Sequence, residues 1–173
     1  PASSGSSLLE IIDSYTATGN EATHTIDLTN VFDEANDAYW LTEIFLIPSA
    51  STAELTATIN GSSSSVYQSY GSKMYNTFIG LVAAMQPEFL FADTSVAEIN
   101  SFIHGYIKWN SMAGQLYRNT FSSEIKSSSG AVNYKMAGFY NNPTQTVLDY
   151  IDITLSKDWE AGSKIVTYRK SLV

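Results

Sequence analysis

The 173-residue chain contains no cysteine, so disulfide frameworks, thiolate nucleophiles and sulfur-ligated zinc are all excluded. Stability has to come from packing or from neighbouring subunits. Long apolar runs are also missing. The most apolar stretch, Phe78 to Met85 with Gly80 inside it, falls well short of the roughly 18–20 residues a membrane-spanning helix needs. The opening Pro1-Ala2-Ser3-Ser4-Gly5-Ser6-Ser7 has neither the basic nor the apolar region of an export signal, so a soluble chain is expected. Charge is scarce at 15%, and with a net charge of −8 it is mostly acidic. A phosphate backbone or an anionic membrane needs clustered Lys and Arg to displace counterions, so neither nucleic acid nor membrane is an expected partner.

The usual signatures of catalysis are missing too. The only histidines, His24 and His104, stand in strand-like segments, and no H-x-H or H-E-x-x-H spacing sets two ligands on one face. Both are read as structural. No G-x-S-x-G elbow marks a nucleophilic serine. Asp149 and Asp152 sit three apart on an expected strand, so they point to opposite faces and cannot flank one glycosidic bond. No calcium loop and no Gly-rich phosphate cradle occurs. The expectation is no enzyme, with no catalytic residue, no metal ligand and no cofactor.

What is present is apolar and aromatic material in short alternating runs. Apolar residues make up 44% of the chain, with eleven Tyr, eight Phe and three Trp, and Ser plus Thr supply nearly a quarter. In Leu148 to Ser156, Ile151, Ile153 and Leu155 alternate with Asp152, Thr154 and Ser156, the period of a half-buried strand. Thr23 to Thr29 behaves likewise. Further strands are expected over Leu8–Tyr15, Tyr39–Ile47, Ala53–Ile59, Met74–Val82, Ser101–Trp109, Gln115–Ile125, Val132–Tyr140 and Lys164–Arg169. Turn chemistry separates them at Thr18-Gly19-Asn20, Asn60-Gly61, Ser127 to Gly130 and Asn141-Asn142-Pro143. Asp33 to Asp37 and Thr94 to Glu98 are long enough only for a helical turn. Nine or ten short strands with little helix predict an antiparallel β-sandwich of jelly-roll type, a single domain over residues 8–173 behind an N-terminal arm, 1–7.

The aromatics divide between core and surface. Trp40 and Trp109, beside Leu41 and Ile107, are expected in the core. Trp159 is the third tryptophan that a sugar-binding reading would recruit. Tyr67, Tyr70, Tyr75 and Tyr140, near expected loops, are expected to be the more exposed, suited to subunit contact or to stacking on a host surface glycan.

Both ends of the chain resemble a known family. The run Leu8 to Ala17, then Ala22 to Thr29 and Asp37 to Leu41, and at the other end Asn133 to Tyr140, Thr146 to Ile153 and Trp159 to Arg169, are similar to small jelly-roll-like structural proteins of tailed bacteriophages. Arg169 stands where that pattern usually has glycine, and the segment Val66–Val96 is longer than the pattern. The resemblance implies a virion protein on the exterior of the particle, without enzymatic activity. It would pack against itself, as a trimer by preference, and against other virion subunits. A short free-standing chain favours a capsid decoration or head-surface station. The alternative is a receptor-binding adhesin domain of a tail fibre or tail tip.

Overall fold

The structure, a computed structural model, describes residues 9–29, 37–50, 53–75, 77–92, 102–110, 116–127, 130–141 and 148–171. The arm over 1–7, the Thr94 to Glu98 segment and all of Asp33 to Asp37 except Asp37, which opens a strand, lie outside these residues. Twelve strands form: β1 (Leu9–Thr16), β2 (Glu21–Asp27), β3 (Asp37–Leu46), β4 (Leu55–Ile59), β5 (Tyr67–Tyr75), β6 (Thr77–Gln86), β7 (Phe89–Ala92), β8 (Phe102–Asn110), β9 (Leu116–Ser127), β10 (Gly130–Asn141), β11 (Tyr150–Trp159) and β12 (Lys164–Ser171). No helix occurs among the described residues, and hence none long and apolar enough to cross a membrane.

The strands make two antiparallel sheets packed as a sandwich. The large sheet runs β1-β12-β3-β8-β9-β10-β5-β6 and the small one β2-β11-β4-β7. Eight strands pair in nested order, β1 with β12, β2 with β11, β3 with β8 and β4 with β7, falling alternately in one sheet and the other. That order is compatible with a jelly roll. Two hairpins are inserted into it. β5–β6 enters between β4 and β7, β9–β10 between β8 and β11, and the β10–β5 pairing joins them into a four-stranded extension of the large sheet. The described part of the Val66–Val96 segment holds the β5–β6 hairpin followed by β7.

Alternation puts one residue in two into the space between the sheets. Trp40, Thr42, Ile44 and Leu46 of β3, Ile103, Ile107 and Trp109 of β8 and Ile151, Ile153 and Leu155 of β11 are all buried. The buried hydroxyls are paired: Thr42 and Thr167 lie 3.0 Å apart, and Trp109 Nε1 donates to Thr42 Oγ1 at 3.1 Å. Such pairing removes the penalty of an unsatisfied polar group in the core. Asn60 and Gly61 both have positive φ, as a tight I′-like turn requires, and Asn60 Oδ1 accepts from the amides of Asp149 and Tyr150 at 2.9 Å each.

Two expectations are corrected. Met74–Val82 is not one strand: β5 ends at Tyr75 and β6 begins at Thr77, with Tyr75 opposite Thr77 across a tight hairpin. Tyr67 and Tyr140 are buried, not exposed. They face each other across the β10–β5 pairing with ring centroids 4.8 Å apart, and Phe89 of β7 closes on Tyr67 at 4.8 Å. Inside, the Tyr67 hydroxyl accepts from the Ile59 amide at 2.8 Å and donates to the Ser62 carbonyl at 3.0 Å, tying β5 to the end of β4. Gly138 makes room for this cluster. A Cβ there would meet the Phe89 ring at 2.9 Å and the Gln68 carbonyl at 2.7 Å.

Candidate functional site: the outer face of the large sheet

The two outer faces differ in kind. On the small sheet, Thr25 donates to Asp152 at 2.6 Å and the hydroxyls of Thr23 and Thr154 lie 3.1 Å apart. Thr58 stands opposite Asp152 on the next strand. Hydroxyls and carboxylates satisfy one another there. The outer face of the large sheet instead carries all six of the exposed large apolar side chains among the described residues: Leu9, Ile11, Phe45, Tyr70, Met74 and Tyr106.

Register shows how they are arranged, because residues directly opposite on antiparallel strands share a face. One outward row runs from Tyr168 on β12 through Leu41, Lys108, Thr120 and Ala137 to Tyr70 on β5. The next runs from Val166 through Glu43, Tyr106, Ser122 and Lys135 to Ser72. Bulky residues therefore stand on β1, β12, β3 and β8 and again on β5, while Thr120, Ser122 and Ala137 on β9 and β10 are small and Lys135 is the one long side chain between Tyr106 and Tyr70. The result is a shallow trough of about 470 Å³ over β8, β9, β10 and β5, with Lys108 and Lys135 among its lining. A second concavity of about 440 Å³ lies over β3, β8 and β12, lined by Phe45, His104 and Lys164 among others.

The ridge between the two concavities is polar. Glu43 accepts from the Tyr106 hydroxyl at 3.2 Å and lies 3.4 Å from His104 Nε2. Partial burial first, and the bond to Glu43 second, raise the Tyr106 hydroxyl pKa, so the phenol remains a protonated donor. Cations gather on the same sheet: eight of the nine Lys and Arg residues lie on its strands, Lys157 on β11 being the exception. Among the described residues neither Lys108 nor Lys135 is in an ion pair, and the Lys108 ammonium sits 4.4 Å from the Tyr39 ring centroid.

The structure separates the residues singled out from sequence. His24 bonds to Asp13 at 2.7 Å and stacks on Tyr15 at 4.3 Å, a contact that ties β1 to β2 across the two sheets. His104 is on β8 of the large sheet, whereas His24 is on β2 of the small one. Asp149 precedes β11 and Asp152 lies within it, held by Thr25. Trp40 and Trp109 are in the core as expected, and Trp159 joins them. Tyr70 is exposed at 52%, and the side chain of Tyr75 lies outside the description. Among the described residues no group of three or more His, Asp or Glu is placed to hold a metal ion. Tyr106, Lys108 and Lys135 were not flagged by sequence. Their alternation with Ile107 and with Tyr134 and Met136 marks them as outward, but only the strand order brings them to Tyr70.

No family model matches the chain, and no curated protein does. Among solved structures, the chain is similar to a protein of unknown function from Shewanella oneidensis MR-1, at 11% identity over 94% of this chain and 75% of that one, with a TM-score of 0.27. A likeness that slight carries no argument about fold or function.

Proposed function

We propose that the chain is a non-enzymatic structural protein of a bacteriophage virion, a capsid decoration or head-surface subunit on the exterior of the particle. It packs against itself, as a trimer by preference, and against other virion subunits. The resemblance at both ends of the sequence supplies the viral setting. The observation that carries the packing role is the concentration on one sheet face of every exposed large apolar side chain among the described residues. Folding needs only the inner faces of a sandwich to be apolar, so an apolar outer face is a signal of contact with something else. At ~4.8 Å between strands and ~3.4 Å per residue, the eight strands present about 1,300 Å², more than the ~800 Å² that one partner contributes to an ordinary stable interface.

A second reading has its own observation. The trough between Tyr70 and Tyr106 suits a receptor-binding adhesin domain of a tail fibre or tail tip, which would hold host glycan. Immunogold labelling of purified particles with an antibody to this chain decides the station. Label over the head surface is the expected result. Label at the tail tip favours the adhesin, and particles without the chain overturn the virion reading altogether.

A further inference from the structure

We propose that the trough over β8, β9, β10 and β5 binds a short acidic saccharide. Its walls are tyrosines standing three strand intervals and two residues apart, Tyr106 on β8 and Tyr70 on β5, about 16 Å at ordinary strand geometry. That span admits two or three sugar rings laid across the strands. Both rings are substantially exposed, 42% for Tyr106 and 52% for Tyr70, so each offers an apolar face on which the C–H face of a pyranose stacks, and a phenol for its hydroxyls. The floor between them carries the hydroxyls of Thr120 and Ser122, each both donor and acceptor, as sugar hydroxyls require.

The charge of the ligand follows from the lysines. In a chain of net charge −8, Lys108 and Lys135 both line the trough, and no carboxylate is among its lining. Lys135 stands between Ser122 and Ser72 on the neighbouring strands, without an ion-pair partner among the described residues. An exposed ammonium in that position bonds to a carboxylate or sulfate as a point charge. A protein partner anchors by filling a closed apolar pocket with an aromatic or arginine side chain. This floor is open and mostly apolar with two hydroxyls set in it, the mixed surface on which a sugar ring lays its C–H face. The trough needs neither the virion setting nor self-association, and it lies across β8 from the Leu9, Ile11 and Phe45 patch.

The test uses the whole chain with 3′-sialyllactose and a hexuronate trisaccharide as acidic probes and lactose as the neutral control, read by ligand-observed NMR and titration calorimetry. Saturable binding of at least one acidic probe, weakened by added salt, is expected. Lys135→Ala should weaken it at least tenfold and Tyr70→Ala at least tenfold, with thermal unfolding of both variants unchanged. Lys164→Ala, outside the trough on the same face, should leave it intact. Two results overturn the proposal: no acidic probe binding at millimolar concentration, or Lys164→Ala costing as much as Lys135→Ala, which would reduce the binding to diffuse charge attraction. Sedimentation of the same variants separates this outcome from the packing role, since loss of saccharide binding with self-association intact bears on the trough alone.

Discussion

The two sheets bury the same kinds of residue and expose opposite kinds. Inward, both present Ile, Leu, Phe and Trp, and the inner faces close on each other with Phe91 of β7 5.1 Å from Phe121 and 6.0 Å from Trp109. Outward, the small sheet is threonine and aspartate in mutual hydrogen bonds, whereas the large sheet shows tyrosine, isoleucine, phenylalanine and lysine. The inner faces account for folding. The difference between the outer faces is free to report on function, because a sandwich with two polar exteriors would fold equally well.

The largest expected effect tests the shared half of the comparison. Phe91→Ala removes the ring that bridges β7 to Trp109 and Phe121 and should cost about 3–5 kcal/mol in urea unfolding, the range for a large core aromatic truncated to alanine. Tyr67→Phe is next. It leaves the Ile59 amide without its buried acceptor and should cost about 1–3 kcal/mol. Outside the core, Phe45→Ser loses its contacts with the Phe102 and His104 rings and should cost only about 1 kcal/mol, while weakening self-association measured by light scattering. If Phe45→Ser instead unfolds the protein, the large sheet's outer face is part of the fold and the contrast between the faces collapses.

The smallest effect is electrostatic. The Thr18 hydroxyl first, with the Thr18 and Gly19 amides adding to it, holds the Glu21 carboxyl below its ordinary 4.5. A carboxyl with a depressed folded-state pKa contributes stability that is present above the unfolded value and disappears as pH falls through the folded one. Glu21→Gln should therefore remove a small stabilisation at neutral pH and flatten the profile below about pH 4.5, where variant and wild type converge. Chemical unfolding at a series of pH values reads this directly.

The nested strands were legible in sequence because each carries its own pattern. β11 alternates Ile151, Ile153 and Leu155 with polar residues, and its neighbours are set off by Asn60-Gly61 and Gly19-Asn20. The inserted hairpins were less so. Tyr67 to Ser72 reads as a serine- and glycine-rich loop, and it becomes β5 because β10 and β6 flank it on both sides. β7 is only four residues long, too short to show a period, and it is fixed by the burial of Phe89 and Phe91. Tyr67 and Tyr140 looked exposed for the same reason, since nothing local announces a partner strand. Overall charge was uninformative in another way. A net charge of −8 hid a sheet on which eight of nine cations are collected, and distribution is invisible to a sum. Of the trough, Tyr70 was legible as an exposed aromatic, while Tyr106, Lys108 and Lys135 depended on register.

The claim that contact is made through the large sheet is tested most directly by sedimentation velocity on paired variants of the two faces. Ile11→Asp with Phe45→Asp places charge on the apolar face, and Thr25→Asp with Thr154→Asp places the same charge on the small sheet. Wild type should sediment as an oligomer, the large-sheet variant as a monomer, and the small-sheet variant as wild type. A wild-type monomer, or an oligomer broken by the small-sheet pair and not by the other, would contradict it.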